Sequence, residues 1–245
     1  MVREVSITPS GDEFSRRAAE TIAEALRDAI ASRGRASIAL SGGSVAAPVY
    51  GNLAVSAGID WRSVLVFWGD DRFVEPSNPY SNYGVAREAL LSKALVSDAS
   101  VYAPPTDAET PDDGAKKYEQ SIANALGRPA RFDVIHLGMG PDGHTASLFP
   151  DSPALAQLEN PALVRAVHAG LAPWVDRLTF TMELINAARL VLVTVSGAAK
   201  AQRLRQVFDA ADMGGNAALP ASLVAPTEGR LIWLLDEPAA LALAG

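Results

Sequence analysis

Asp142 and His144 stand two residues apart in FDVIHLGMGPDGHTASLFP, Phe132 to Pro150, and of all residues in this chain they are best suited to move a proton. An imidazole titrates near neutrality, and a carboxylate beside it can hold one tautomer, as a general base requires. The apolar run of Val134, Ile135 and Leu137 stops at a glycine-rich turn just before them. In α/β enzymes such turns at the carboxyl ends of strands commonly carry catalytic groups. Gly138, Gly140 and Gly143 also spell G-x-G-x-x-G, the dinucleotide fingerprint. That fingerprint should open a helix and be followed, about 20 residues on, by an acid after the next strand. Pro141 interrupts the glycines, Pro150 leaves little room for a helix, and Asp151 and Glu159 follow no apolar strand. No nucleotide cofactor is expected.

Three other turns carry groups of interest. Ser41-Gly42-Gly43-Ser44 joins a short apolar stretch to an expected helix start. Glycines let backbone approach an anion, and helix N-terminal amides point at it; a tight strand-to-helix turn would use the same residues. Ser196-Gly197-Ala198-Ala199-Lys200 has the same form, with Lys200 near a helix start where its charge opposes the helix dipole. Either a solvated lysine or a partner for an anion between the two strand ends fits that position. Asp70-Asp71-Arg72 follows another strand and suits a polar site or a surface turn. His136 lies inside a strand and reads as a core residue. His168 lies in or beside an apolar stretch with no acid next to it. Neither His136 nor His144 has a third ligand at metal-binding spacing, so no metal is expected.

These groups need elements to carry them. Asp12 to Arg33 predicts a helix, because Phe14, Ala18, Ile22, Leu26 and Ile30 recur every four residues and Gly34 supplies a stop. Ser37 to Leu40, Val64 to Trp68, Phe132 to Leu137, Leu178 to Met182, Arg189 to Val195 and Leu231 to Leu235 read as strands. A helix is expected after Ser44 through about Ala57, since Pro48 is tolerated in a first turn. Others are expected over Tyr83 to Lys93 after a Ser81-Asn82 cap, Asp112 to Leu126, Glu183 to Ala188 and Ala198 to Ala210. Alternating strands and helices imply a largely parallel sheet covered on both faces. Gly214 to Pro220 is expected to be a mobile loop and Ala169 to Trp174 an irregular stretch. With no repeat and no linker, residues 1–245 read as a single α/β domain.

Composition narrows the partners. A formal net charge of −7 argues against a broad nucleic-acid-binding face, though not against a local cationic pocket. The chain has no cysteine, which excludes disulfides, thiolate metal sites and a cysteine nucleophile. No apolar run approaches the ~18 residues that would cross a bilayer, and MVREVSITPSGDEF lacks the apolar core of a signal peptide. The expectation is a cytoplasmic protein with a small-molecule substrate and no membrane or nucleic-acid partner, monomeric or homodimeric.

Taken in order, LSGGS (Leu40 to Ser44), W-x-D-[DE]-R-x-V (Trp68 to Val74), SNYGVAREALL (Ser81 to Leu91), LGMGPDGHTASLFP (Leu137 to Pro150), R-x-T-x-T (Arg177 to Thr181), SGAAKA (Ser196 to Ala201) and LPAS (Leu219 to Ser222) span nearly the whole chain. With them the chain resembles the glucosamine-6-phosphate isomerase/6-phosphogluconolactonase family, in its lactone-hydrolysing branch. The resemblance implies a Rossmann-like three-layer α/β/α sandwich with a mostly parallel central sheet and no nucleotide. It implies hydrolysis of 6-phosphoglucono-δ-lactone to 6-phosphogluconate, the second step of the pentose phosphate pathway, without cofactor or metal. By that analogy the phosphate rests near Ser41, Gly42, Gly43 and Ser44 with Arg177 and Lys200, and the lactone lies toward Asp70, Arg72 and His144. His144 would then activate water, Asp142 would hold the imidazole, and Arg72, with amides of the Gly138–Gly143 loop, would face the developing negative charge.

The chain departs from the family pattern at three places. Asp71 replaces a usual Glu, Val45-Ala46-Ala47-Pro48 delays a proline that commonly follows SGGS, and Trp174-Val175-Asp176 replaces a Pro-Pro pair before Arg177. In the deaminase branch, the motif after DGH runs on to an acid that partners the histidine. Phe149 occupies that position, which favours the lactonase branch. The presence of His144, with no helix-turn-helix segment legible, favours an enzyme over a sugar-phosphate sensor.

Overall fold

A computed structural model describes residues 3–156, 162–170 and 172–243. Six strands, β1 (Glu4–Thr8), β2 (Ala36–Leu40), β3 (Val64–Trp68), β5 (Val134–Gly138), β8 (Leu190–Val195) and β9 (Arg230–Asp236), form one parallel sheet in the order β1-β9-β8-β5-β2-β3. Strand side chains alternate between faces, and both faces are buried. Ile38, Val66, Val134, Leu192 and Leu234 pack on one side, and Ala39, Phe67, Ile135, Val193 and Trp233 on the other. The first face is covered by α1 (Asp12–Arg33), α2 (Ala46–Ala54) and α3 (Asn82–Ala86), which runs on into a π-helical turn, Arg87–Leu91. The second is covered by α4 (Pro111–Leu126), α5 (Met182–Asn186), α6 (Ala201–Asp212) and α7 (Glu237–Ala240). The result is the three-layer α/β/α sandwich with a mostly parallel sheet that the sequence implies.

Local chemistry sets the element ends. In α1, Phe14, Ala18, Ile22 and Leu26 form the buried stripe, and Gly34, at φ +76°, closes the helix by donating to Ile30 O at 2.8 Å. In α4, the Thr110 hydroxyl accepts the Asp113 amide, with Pro111 at the first helical position. Ser81 caps α3 in the same way, through the Gly84 amide.

The structure departs from the expected elements at several places. Asp70-Asp71-Arg72 is not a turn but β4 (Asp70–Arg72), which pairs antiparallel with β7 (Arg177–Phe180); β7 in turn pairs with β6 (Val164–Val167). The strand expected at Leu178 to Met182 therefore belongs to this second sheet, on the α4 side, and not to the parallel one. A three-residue strand of charged side chains has no apolar alternation to reveal it. β1 also escaped notice, because its Val5 and Ile7 lie exposed at the sheet edge. In the 214–220 loop the Asn216 amide donates to Ser222 Oγ at 2.9 Å, and just beyond it the Ala221 amide donates to Gly143 O at 2.9 Å. Glu159, and Leu171 within the irregular stretch, lie outside the described residues. Among the described residues no helix is long and apolar enough to cross a membrane.

Candidate active site

The loops leaving β2, β5 and β8 open beside the β4–β7 pair, and between them lies a cleft of about 160 Å³. Ser41, Gly42, Gly43, Ser44, Asp70, Arg72, His144, Arg177 and Lys200 all line it. Residues from five separate motifs are thus brought together, and Asp142 stands directly against His144. A larger cavity of about 440 Å³, walled by α5, α6 and β9, contains none of these residues.

His144 is held by its own loop. Its Nδ1 lies 2.5 Å from Asp142 Oδ1, and its backbone amide donates to the same oxygen at 3.1 Å. With the proton of the neutral ring on Nδ1, Nε2 keeps its lone pair. Burial pushes the Asp142 carboxyl upward, but the hydrogen bonds and charge of His144 outweigh it and hold the group below the usual carboxylate range. The glycines of the fingerprint serve this geometry. A Cβ on Gly140 would lie 2.1 Å from His144 Nδ1 and Cε1, so only glycine lets the imidazole rest over the loop. Gly143 takes φ +88°, a region that favours glycine. No helix follows the glycines; a Thr145–Leu148 bridge closes the turn instead. The Gly140 and Gly143 amides donate to His144 O and Gly140 O. Those two N–H groups are therefore engaged within the loop and are not open as anion donors. Phe149 packs on the other side of the imidazole, its ring centroid 4.9 Å away, and the Arg177 guanidinium lies 5.2 Å from the same ring.

Arg72 and Arg177 are directly paired across β4 and β7. Arg72 Nη1 donates to Tyr80 O at 3.0 Å and to Asn82 Oδ1, while Arg177 Nη2 donates to Pro173 O at 3.3 Å. Burial and the charge of Arg72 lower the Arg177 pKa, against the opposing carboxylates Asp70 and Asp71. Asp70 is no free base: its Oδ2 accepts Ser147 Oγ at 2.7 Å, and Asn82 Nδ2 lies 3.4 Å from its Oδ1. Asp71 is buried, which pushes its pKa up to about 6 even though it accepts the Asn82 and Tyr83 amides at the start of α3. Asn82 also presses on the 41–44 loop, for a Cβ on Gly42 would lie 1.9 Å from its Oδ1.

The two glycine-serine loops differ in what they leave open. The Ser41 amide donates to Tyr50 Oη at 2.6 Å, so this N–H, counted with the anion cradle from sequence, is already in use. Among the described residues the amides of Gly42, Gly43 and Ser44 donate to no protein acceptor. In the second loop, Asp236 accepts Ser196 Oγ at 2.6 Å and the Gly197 amide at 3.0 Å, and it caps α7 through the Ala239 amide. Burial lowers the Lys200 pKa, and the Asp236 charge opposes that shift. Asn82, Ser147 and Asp236 were missed in the sequence. Asn82 and Ser147 sit inside the SNYGVAREALL and LGMGPDGHTASLFP motifs, and Asp236-Glu237-Pro238 is a helix-start signature that could have marked the third.

His136 is buried as expected, between Tyr50 and Thr194. His168, read as having no acid beside it, has one in space: its Nδ1 lies 2.9 Å from Asp176 Oδ1, with both side chains exposed. Among the described residues no three His, Asp or Glu side chains group as a metal site would need.

The chain is similar to known proteins along nearly its whole length. Residues 9–233 match the family model described as glucosamine-6-phosphate isomerases/6-phosphogluconolactonase. A 6-phosphogluconolactonase of Synechocystis sp. is 39% identical over 243 residues, 98% of both chains, and one of Bos taurus is 35% identical over 97% of this chain and 93% of its own. The solved 6-phosphogluconolactonase of Thermotoga maritima superposes with a TM-score of 0.84 at 27% identity, covering 96% of this chain and 100% of that one. That of Trypanosoma brucei gives 0.84 at 28% identity, covering 98% of each. A monomeric glucosamine-6-phosphate deaminase shares the fold, with a TM-score of 0.81 at 18% identity. The chain belongs to the glucosamine-6-phosphate isomerase/6-phosphogluconolactonase family.

Proposed function

We propose that this chain hydrolyses 6-phosphoglucono-δ-lactone to 6-phosphogluconate, with His144 as general base. The observation that carries the reading is the His144–Asp142 pair in a cleft that also holds Arg72, Arg177 and Lys200. In a chain of net charge −7, three cations around one base suit a doubly charged phosphate ester with an electrophilic carbon a few ångströms away. Phe149, where the deaminase branch carries an acid, supports the lactonase over the isomerase.

In the reaction, His144 Nε2 takes a proton from water as the water oxygen bonds to C1. The lactone carbonyl oxygen becomes an oxyanion facing a guanidinium, to which we assign Arg72. Collapse of the tetrahedral intermediate breaks the bond from C1 to the ring oxygen, and the imidazolium returns its proton to that oxygen, now the C5 hydroxyl. The new carboxylic acid ionises in water. Asp142 stabilises the imidazolium and keeps the ring oriented. Asp70, engaged by Ser147 and Asn82, braces the Arg72 side of the cleft and is a positioning residue. The open amides of Gly42 to Ser44, with Arg177 and Lys200, would grip the phosphate. That grip supplies orientation worth several kcal/mol, on the order of what effective-molarity data allow.

The test is a stopped-time assay on freshly generated lactone, read through a coupled dehydrogenase. Wild type is expected to exceed spontaneous hydrolysis by orders of magnitude, and no excess would sink the reading. Lys200→Ala should raise KM by about tenfold or more with kcat nearly unchanged, as for loss of uniform binding; a loss confined to kcat would overturn its phosphate role.

A further inference from the structure

His136 is a buried ionisable group that the proton transfers above do not use. It sits in β5, 1% exposed, and burial pushes its pKa down to about 4, so the ring is neutral. Each ring nitrogen meets a hydroxyl. Nδ1 lies 2.9 Å from Tyr50 Oη, and Nε2 lies 3.0 Å from Thr194 Oγ1. Tyr50 in turn clasps Ser41 on both sides, accepting its amide at 2.6 Å with its hydroxyl 2.9 Å from Ser41 O. At the other end, Thr194 Oγ1 lies 3.3 Å from Leu137 O.

β2, β5 and β8 are adjacent strands, so this line runs across the sheet just beneath the three loops that form the cleft. Its neighbours on that sheet face, Ile38, Val134 and Leu192, are apolar and buried. The side chains of Tyr50, His136 and Thr194 are each satisfied in either ring tautomer. With Nε2–H, the ring donates to Thr194, Thr194 donates to Leu137 O, and Tyr50 donates to Nδ1. With Nδ1–H, the ring donates to Tyr50, Tyr50 donates to Ser41 O, and Thr194 donates to Nε2. A fully satisfied polar network in an apolar layer adds little net stability over packed hydrocarbon but fixes one arrangement of its parts.

We propose that Tyr50, His136 and Thr194 form a positioning line that fixes the 41–44 loop relative to the ends of β5 and β8, setting the distance from phosphate grip to base. The proposal rests on the reading of the 41–44 loop as the phosphate cradle.

Three variants test it: Tyr50→Phe, His136→Gln and His136→Asn. Asparagine carries its amide near the position of Nδ1 and keeps the Tyr50 arm, whereas glutamine reaches the Nε2 position and keeps only the Thr194 arm. Each variant is assayed well below its own melting temperature for KM and kcat, and 6-phosphogluconate binding is followed by calorimetry. Tyr50→Phe and His136→Gln are expected to raise KM and the product Kd roughly 3- to 10-fold, the scale of one lost hydrogen bond, with kcat within about twofold. His136→Asn should stay close to wild type. A lowered Tm with wild-type KM and Kd would make the line merely structural and overturn the proposal. So would a kcat loss at constant KM. If wild type neither hydrolyses the lactone nor binds 6-phosphogluconate, the underlying reading falls with it. A normal wild type with silent variants sinks the line alone. Should His136→Gln fail to fold, Tyr50→Phe, which removes one oxygen, carries the test.

Discussion

Two histidine–aspartate pairs stand in this molecule with the same atoms in contact, Nδ1 against Oδ1, at 2.5 Å for His144–Asp142 and 2.9 Å for His168–Asp176. The side chains of the first pair are 16% and 32% exposed, those of the second 74% and 47%. His144 has Gly140 beneath it, Phe149 against it and three cations across a cleft. His168 follows an edge strand of the small sheet and faces water. Under the proposed function it is the setting, and not the pairing with a carboxylate, that distinguishes His144 as the base. A ring in bulk solvent has no fixed substrate to address and no low-dielectric wall to strengthen its field.

The largest expected contrast is between His144→Ala and His168→Ala. The first should lower kcat by about 10²- to 10⁴-fold, the usual range for losing a general base. The second should leave kcat/KM within about twofold, as for an ordinary surface substitution. Comparable losses at both positions, in the same lactone assay, would erase the distinction. A smaller but sharper contrast concerns the cradle. Gly140→Ala keeps both members of the first pair yet puts a methyl group 2.1 Å from the imidazole. The ring must swing away, and a displacement near 1 Å should cost about 10²-fold in kcat. Circular dichroism should show an intact fold; unchanged kcat would mean that the ring's seat over the loop does not matter.

The first pair was legible in the sequence and the second was not, for a physical reason. Asp142 and His144 are two residues apart on a loop whose glycines announce its shape. His168 and Asp176 meet only because the chain doubles back between β6 and β7, which no local pattern records. The same division runs through the fold. Long amphipathic α1 shows strong periodicity, the largely buried β3 and wholly buried β8 are near-continuous apolar runs, and the predicted bounds of all three fall within one residue of those in the structure. β4 was invisible because Asp70, Asp71 and Arg72 owe their strand geometry to pairing with β7. At the site, residues that line the cleft were found through glycine turns and charge. The groups that brace them, Asn82, Ser147, Tyr50 and Asp236, were passed over. A brace is recognised by what it touches, and those contacts span 9 to 77 residues of chain for Tyr50–Ser41 and Ser147–Asp70.

The smallest expected effect, at the first pair, is read in pH rather than in rate. Hydrogen bonding and charge from His144 hold the Asp142 pKa below its unfolded value of 3.8, despite burial acting the other way. A depressed carboxyl stabilises the folded state fully above the unfolded pKa, and that stabilisation is lost as pH falls through the folded value. Asp142→Asn removes it. Urea midpoints should therefore place wild type above Asp142→Asn at pH 6, by well under ~1 kcal/mol once solvent screening of a half-open pair is allowed for. The gap should close below pH 4. A gap constant down to pH 3 would mean that Asp142 contributes through hydrogen-bond geometry alone, and the charge placed beside His144 would lose its claim to hold the imidazolium.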